Sequence, residues 1–324
     1  MAQESVTREL ETADDFTLWL AGYSLASATD SLRAARRFLE RLAGAADRSE
    51  GGRARGQVHL AHLEVGRGRC RTARLEFDRA GVMKPAVAFA SRAWLAALPF
   101  LARPEAELAA LLDSLRDWQP PAPGSNAWRV FGARIPGELR PWVKEYVLGL
   151  LSARLGEVES AERHAHELER AVAPPDSVGL RSDLAREIRA LTALEAGRPG
   201  EALALLEGSS MAIAKNNDVF TPLYRRPLGR FLRAEILQQL GHDEEALDWY
   251  DTFDWLVWGI EYVFLAPVYL RQAEIHERRE ERERAIELYR RFVARWQDAD
   301  AEYQPLVDDV KSRIARLAAE PAGD

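Results

Sequence analysis

The sequence predicts an all-α protein made of repeated helix–turn–helix units. Small and apolar residues recur at fixed distances from a glycine in several segments of the 324-residue chain. Apolar residues follow helical spacing elsewhere too, and no stretch alternates polar and apolar residues over the length of a strand. Hydrophobic residues make up 47% of the chain, which is ample for a continuous core and argues against global disorder.

The N-terminal part predicts helices with a less regular repeat. FTLWLAGYSLA and ATDSLRAARRFLERL, within residues 16–42, are interpreted as a helical pair. Residues 84–118 are interpreted as a divergent helical unit whose turn lies at Arg103-Pro104. This unit occupies the gap between the first two clear copies of the repeat, which begin at Gly68 and Gly156.

The clear copies are anchored on a glycine that ends one helix and turns the chain into the next. The anchors are Gly68, Gly156, Gly197 and Gly241. Five residues after each stands an alanine: Ala73, Ala161, Ala202 and Ala246. A fifth copy has lost the glycine at Glu280 but keeps Ala285, Tyr289 and Phe292. Seven residues before each anchor stands a small residue that lets two helices approach closely: Ala61, Gly149, Ala190, Ala234 and Ala273.

Two further segments complete the predicted organisation. Residues 117–142 contain five prolines and predict an interruption about which the two halves pivot or pack obliquely. Residues 304–317 carry apolar side chains on one face and predict a terminal cap helix. The predicted divisions are residues 1–118, divergent helical repeats; 119–140, a proline-rich linker; 141–300, the regular repeats; and 301–324, the capping helix and tail.

The repeat resembles the tetratricopeptide (TPR) repeat. Leu148-Gly149 matches the family's Leu-Gly pair, and Trp142 opens that helix after Pro141. The anchors after Gly156 stand 41, 44 and 39 residues apart, whereas the standard period is about 34 residues. The resemblance implies a right-handed α-α superhelix, a TPR-like solenoid of about six to seven helix–turn–helix units with a C-terminal cap helix.

Residues 264–317 are similar to the last repeats of many bacterial serine/threonine kinase-like and regulator-like signalling proteins. The chain carries no Gly-rich ATP loop, no His-Arg-Asp catalytic loop and no Asp-Phe-Gly. The resemblance therefore implies a sensor or scaffold portion and no kinase. A TPR-like unit binds peptides in its concave groove, and the family's groove positions fall on residues that include Tyr146, Arg154, Phe231, Glu235 and Gln238.

Residues 248–264, DWYDTFDWLVWGIEYVF, form an unusually aromatic stretch. Tyr250, Phe253 and Phe264 follow the packing positions of the repeat and are interpreted as core. Trp249, Trp255 and Trp258 lie off that stripe or in the connector, beside Asp248 and Asp254, an arrangement that favours a partner's arginine or another cation. Arg225 stands next to Tyr224 at a helix boundary and is a candidate contact for an anionic group.

Composition excludes several classes of protein. The net charge of −7 and pI near 5.6 argue against general nucleic-acid binding, although residues 53–79 are rich in arginine. We interpret that segment as solvated helix faces. The single cysteine, Cys70, cannot form an internal disulfide, and no signal peptide or membrane-spanning run is apparent, so we expect a cytoplasmic protein that does not enter the membrane.

No catalytic motif occurs in the sequence, so we expect no enzyme and no cofactor. His59 and His62 share a helix face, but no third ligand lies nearby in sequence and a metal is not expected. The leading hypothesis is a non-catalytic scaffold or adaptor that binds a protein or peptide in the concave groove, with a regulatory role in bacterial signalling. The alternative is a small-molecule sensor whose enclosed pocket is lined by Trp255, Trp258, Tyr224 and Arg225. A homodimer through exposed apolar faces at the terminal repeats is a third possibility.

Overall fold

The computed structural model describes residues 22, 25–26, 32–83, 85–119, 129–130, 133–134, 140–172, 179–209, 222–253 and 259–319. In this part of the chain the architecture is helical. The helices of the N-terminal half are α1 (Leu32–Gly44), α2 (Glu50–Gly66), α3 (Cys70–Met83), α4 (Pro85–Ala96) and α5 (Glu105–Asp117). Those of the C-terminal half are α6 (Arg140–Arg154), α7 (Val158–Arg170), α8 (Leu180–Glu195), α9 (Pro199–Glu207), α10 (Pro222–Arg225), α11 (Pro227–Gln239), α12 (Asp243–Asp251), α13 (Leu265–Arg278), α14 (Arg282–Trp296) and α15 (Gln304–Ala319).

The regular copies of the repeat fold as helical hairpins with one shared turn. The hairpins are α2–α3, α6–α7, α8–α9, α11–α12 and α13–α14. All four anchor glycines have a positive φ, between 69° and 82°, and Glu280 adopts φ 60° at the position where the fifth copy lacks glycine. Each turn closes with the same hydrogen bond, such as Arg69 N to Glu64 O at 2.8 Å and Glu281 N to His276 O at 2.9 Å. This is the Schellman end of a helix, and it confirms the predicted register of the repeat.

The predicted small residues lie where helices cross closely. Ala61, Ala190, Ala234 and Ala273 are fully buried. A Cβ placed on Gly149 would stand 2.4 Å from Ile188 Cδ1, so glycine at this point lets α6 approach α8. The apolar residues at the later offsets, among them Phe77, Tyr250 and Tyr289, are buried between neighbouring hairpins. The offsets therefore mark the packing surfaces of the repeats, as predicted.

The divergent unit forms α4 and α5, and its turn spans the predicted Arg103-Pro104 position. The end of α4 lies deep in the molecule: Trp94, Leu98 and Leu101 are fully buried. The Phe100 ring contacts Phe231 and Phe264, with 5.2 Å between centroids in each case. Segment 94–101 thus joins the N-terminal half to the core of the C-terminal half.

A second contact joins residues that are far apart in the chain. The turn between α2 and α3 packs on the segment between α14 and α15. Trp296 Nε1 donates to Gly66 O at 3.2 Å, Asp300 N donates to Gly68 O at 3.0 Å, and Asp300 Oδ2 accepts from Arg71 N at 2.8 Å. In an open row of repeats each unit contacts only its neighbours, whereas here an early hairpin contacts the last helices.

Most of the predicted linker, 119–140, falls outside the described residues. Within it, Arg129–Val130 pairs with Ala133–Arg134 as two short antiparallel strands. The predicted cap is helix α15, where Val307, Val310 and Leu317 are buried while Leu306 is 36% exposed. Arg313 and Arg316 of α15 both bond Glu277 of α13, which fixes the terminal helix on the last hairpin. Among the described helices, none has the length and apolarity needed to cross a membrane.

Candidate functional site

The predicted groove aromatics lie inside the protein. Tyr146 and Phe231 are each 1% exposed. The Tyr146 hydroxyl donates to Glu187 Oε2 at 2.5 Å, and burial together with this carboxylate raises the pKa of Tyr146 well above its ordinary value. Phe231 packs among aromatic rings, with Phe264 at 5.7 Å between centroids. Neither side chain faces an open groove in this structure.

Arg154, another predicted groove residue, holds the inserted segment 94–101. Its Nη1 donates to Leu98 O at 2.6 Å, and its Nε lies 2.9 Å from Glu195 Oε1. The guanidinium thereby satisfies a carbonyl just beyond the C-terminus of α4, where backbone acceptors lack helical partners. Segment 94–101 of the chain itself therefore occupies the place next to Arg154 and Phe231 where a peptide was predicted.

The predicted residues of α11 and α12 connect these two helices to each other and to α13. The Tyr250 hydroxyl lies 3.1 Å from Glu235 Oε1 and 3.0 Å from Gln238 Oε1. Arg271 Nε donates to Glu235 at 2.6 Å. The half-buried Trp249 ring lies under the Arg233 guanidinium, 4.6 Å from its centroid, a cation–π contact within one hairpin.

Arg225 belongs to a buried ionic cluster. It bonds Glu261 through two parallel contacts of 2.9 Å, Nε to Oε1 and Nη2 to Oε2, and Arg230 bonds the same carboxylate. Next to it in sequence, Arg226 bonds Glu187 at 2.6 Å and Asp183 at 2.9 Å. Burial lowers the pKa of Arg230, and the Glu261 charge opposes that effect.

This cluster balances its charges in the interior. Three guanidinium groups face three carboxylates, and all six residues are at most 6% exposed. Burying such ion pairs costs desolvation energy. Removing one partner strongly destabilises the folded protein, because the other charge is then buried without compensation. The cluster links α8, α10, α11 and the short 3-10 turn Gly259–Val263, so Arg225 connects elements of the core rather than facing a partner.

Part of the aromatic stretch 248–264 lies in the core, and residues 254–258 lie outside the described part of the chain. Tyr250, Phe253 and Phe264 are fully buried, which confirms the prediction that they pack in the core. Tyr262 is also buried, and its hydroxyl donates to His59 O at 3.4 Å. Trp255 and Trp258 lie outside the described residues, and their proposed role in binding stays a prediction.

The arginine-rich segment 53–79, which the sequence predicted to form solvated helix faces, is instead partly buried: Arg55 is 8% exposed. Glu64 is 1% exposed and is surrounded by Arg36 at 2.6 Å, Arg69 at 3.2 Å and Arg67 at 3.5 Å. One buried carboxylate therefore neutralises part of the positive charge of this segment. This arrangement favours a structural role for these arginines over a phosphate-binding surface.

His59 and His62 are both fully buried, with ring centroids 5.3 Å apart. Burial lowers the pKa of His62 to about 3 and also lowers the pKa of His59 well below its ordinary value. Both ring nitrogens of His62 lack a hydrogen-bond partner within the described structure. Across those same residues, no group of three His, Cys, Asp or Glu side chains is arranged to hold a metal ion.

A cleft of about 610 Å³ opens between α3, α4 and α5. This volume is typical of sites that bind an organic molecule or anchor a partner's side chains. The rings of Phe89 and Trp118 face each other across 6.2 Å at 43°. The lining residues are Phe77, Asp78, Gly81, Val82, Ala88, Phe89, Arg92, Ser114, Asp117 and Trp118.

The rim of the cleft exposes apolar side chains. Val82 is 87% exposed and Leu75, two turns earlier on α3, is 57% exposed. Because residues seven apart lie on one face of a helix, these two side chains extend the apolar lining onto the outer surface of α3. The cleft was missed by sequence reasoning, since Phe77 and Ala80 are core positions of the repeat and the exposed Val82 follows them out of register. The sequence signal that could have revealed the cleft is Val82, an aliphatic residue on the otherwise polar side of an amphipathic helix.

The described residues contain a closed ionic core and an open apolar cleft. No protein-family model matches this chain, and neither a curated protein nor a solved structure with significant similarity to it was found.

Proposed function

We propose that the chain is a non-catalytic, TPR-like scaffold that binds a protein partner. In this proposal its hairpins form a right-handed superhelix in which the α2–α3 hairpin contacts the last helices. Support comes from the five identical Schellman turns and from the small residues at the helix crossings. We extend the proposal to a regulatory adaptor on the resemblance inferred from the sequence of residues 264–317 alone. The single buried Cys70 suits a reducing cytoplasm.

The partner, in this proposal, binds at the cleft between α3, α4 and α5. The observation that carries the proposal is an apolar lining that continues outward to Val82, at 87% exposure, and Leu75, at 57%. Exposed apolar surface of this kind is typical of protein interaction sites. The inner face near Phe231 and Arg154, by contrast, is occupied by segment 94–101, so a peptide would have to displace core side chains to reach it.

A small-molecule sensor is the second candidate, favoured by the volume of the same cleft. About 610 Å³ suits a drug-sized molecule, and aromatic walls are common in such sites. Of the residues predicted to line an enclosed pocket, Arg225 forms a buried ion pair with Glu261. The side chains of Tyr224, Trp255 and Trp258 lie outside the described part of the chain. The exposed rim makes a protein partner the better fit, because a small ligand gains little from Leu75.

The proposal predicts that position 82 contacts the partner. A photoreactive phenylalanine analogue placed at Val82 should crosslink a defined segment of one partner in cells. The same analogue at Val172, which is 89% exposed on another part of the molecule, serves as the matched control. Mass spectrometry of the crosslinked peptides identifies the partner segment.

A purified peptide of that segment should then bind the wild type and lose at least tenfold in affinity to Val82→Glu, because a carboxylate would be placed against the apolar contact. Val172→Glu should bind as the wild type does. The proposal is wrong if positions 82 and 172 capture the same segments, or if Val82→Glu binds the purified peptide unchanged.

A further inference from the structure

We propose that the cleft between α3, α4 and α5 selects a cationic segment, a lysine or arginine side chain carried beside apolar residues on a partner helix. This inference rests on the proposed function, since it specifies the chemistry of the partner at the same cleft. The aromatic walls, the charges at the rim and the size of the cleft all favour a cation.

The aromatic walls suit a cation. Phe77, Phe89 and Trp118 line the cleft, and the latter two rings are tilted towards each other with centroids 6.2 Å apart. The face of an aromatic ring carries negative electrostatic potential and attracts ammonium and guanidinium groups, most strongly for tryptophan. The protein already contains such contacts, for example Arg230 over Phe253 at 4.4 Å.

The rim carries an excess of negative charge. Asp78 and Arg92 face each other at 3.4 Å and largely neutralise one another. Asp117 forms no ion pair with any residue that the structure describes. The adjacent Arg116 is turned away to Asp113 at 2.8 Å and Glu157 at 3.3 Å. Lys144 lies nearby, but its ammonium group donates to the carbonyl oxygens of Arg116 and Trp118, at 2.8 and 2.7 Å. The Asp117 carboxylate therefore remains to meet a charge supplied by the partner.

An anionic occupant fits less well. It would have to take Arg92 from Asp78 and approach Asp117, and like charges at close range are unfavourable. The net charge of −7 acts in the same direction at longer range. A positively charged segment is therefore favoured both during approach and after binding.

The size of the cleft favours a long side chain over a small free cation. Its volume of about 610 Å³ is far larger than one ammonium group needs. Lysine and arginine carry apolar stems that pack on hydrophobic surface while the charged end stays near water. An amphipathic helix can place such a stem over Phe89 and Trp118, its cation at Asp117 and an apolar neighbour on Val82.

The test uses three fluorescein-labelled 14-residue model helices with the same leucine face and with lysine, glutamine or glutamate at the polar positions. Fluorescence polarisation gives the Kd of each peptide for the full chain at low and moderate salt. We expect the lysine peptide to bind about tenfold more tightly than the glutamine peptide, with the glutamate peptide weakest. The preference should shrink as salt is added.

Two substitutions separate the cation preference from binding itself. Asp117→Asn should remove most of the lysine preference, while Asp47→Asn, an exposed aspartate in the turn after α1, should leave it intact. Val82→Glu should abolish binding of the glutamine peptide. If the three peptides bind equally and Val82→Glu still abolishes binding, the cation inference is wrong and the proposed site stands. If no peptide binds, or if Val82→Glu has no effect on binding, both are wrong.

Discussion

In the segment Arg225–Arg230, backbone conformation and residue size are matched to the buried guanidinium and carboxylate groups. Arg226 has a left-handed backbone, with φ 50°, and this directs its guanidinium into the space between Asp183 and Glu187. A Cβ on Gly229 would lie 2.3 Å from Glu187 Oε1, so glycine at that position leaves room for the carboxylate. Each ion in this cluster depends on a partner that lies between 31 and 43 residues away in the sequence.

His62 predicts a pH dependence of stability. Burial lowers its folded pKa to about 3, whereas an unfolded histidine titrates near 6.5. Below pH 6.5 the unfolded chain takes up a proton that the folded protein does not, so the free energy of unfolding falls as the pH decreases from 6.5 towards 3. The slope from this residue is about 1.4 kcal/mol for each pH unit.

Replacement of His62 by leucine should remove this slope. Urea unfolding of wild type and His62→Leu at pH 7.5, 6 and 5 should show the variant gaining stability relative to wild type as the pH falls. His242, an exposed histidine beside Glu245, provides the control, and His242→Gln should follow the wild type closely. A constant difference between His62→Leu and wild type across the pH range would contradict the burial of a neutral imidazole.

At the scale of elements, the hairpin turns show a direct link between one residue type and backbone geometry. The anchor glycines adopt positive φ, which costs other residues roughly 1–2 kcal/mol. Glu280 adopts φ 60° in the one copy without glycine, and it is exposed. The helical hairpin α13–α14 therefore forms with a strained turn.

Glu280→Gly should stabilise the protein by roughly 0.5–1 kcal/mol, because relief of the left-handed strain exceeds the entropy that glycine adds to the unfolded chain. Gly156→Ala should cost about 1 kcal/mol at an equivalent turn. Apart from its chain neighbours, no described residue has an atom within 4 Å of a Cβ built at Gly156, so we attribute this cost to the backbone. Chemical denaturation measures both changes, and a loss of stability in Glu280→Gly would contradict the shared turn geometry.

At the scale of the whole molecule, the contact between the α2–α3 turn and residues 296–303 joins parts of the chain about 230 residues apart. Asp300 contributes twice, because its backbone N–H bonds Gly68 O while its carboxylate accepts from the second residue of α3, Arg71. A carboxylate at a helix N-terminus satisfies an unpaired N–H and favours the positive end of the helix dipole. Here the cap comes from a distant segment.

Asp300→Ala should therefore destabilise both ends of this contact. We expect a loss of about 1–2 kcal/mol, with faster amide hydrogen exchange in α3 as well as in α15. Asp308→Ala on the exposed face of α15, where Asp308 pairs with Lys311 one turn away, is the matched control. Faster exchange confined to residues after 296 would show that the two segments are not coupled in solution.

The sequence predicted the repeat, but it did not predict the surfaces at which repeats from distant parts of the chain pack together. The anchor glycines, the alanines and the buried Tyr250, Phe253 and Phe264 follow from offsets within one hairpin. Tyr146, Arg154 and Phe231 were proposed as binding residues from their register, and Arg225 from its place beside Tyr224 at a helix boundary. Their side chains instead contact Glu187, segment 94–101, Phe100 and Glu261, none of which belongs to the same hairpin.

The local pattern is readable because a helix and its turn depend on residues a few positions apart. Backbone hydrogen bonds, glycine at positive φ and small residues at crossings act within a single hairpin, so the all-helical class and the repeat boundaries can be derived from residue types. The position of Phe100 beside Phe231, the meeting of Asp300 with Arg71 and the open cleft beside Val82 depend on the summed rotations between many hairpins. Small differences in each packing angle accumulate along the chain, and burial of the distant surfaces against each other then selects one arrangement.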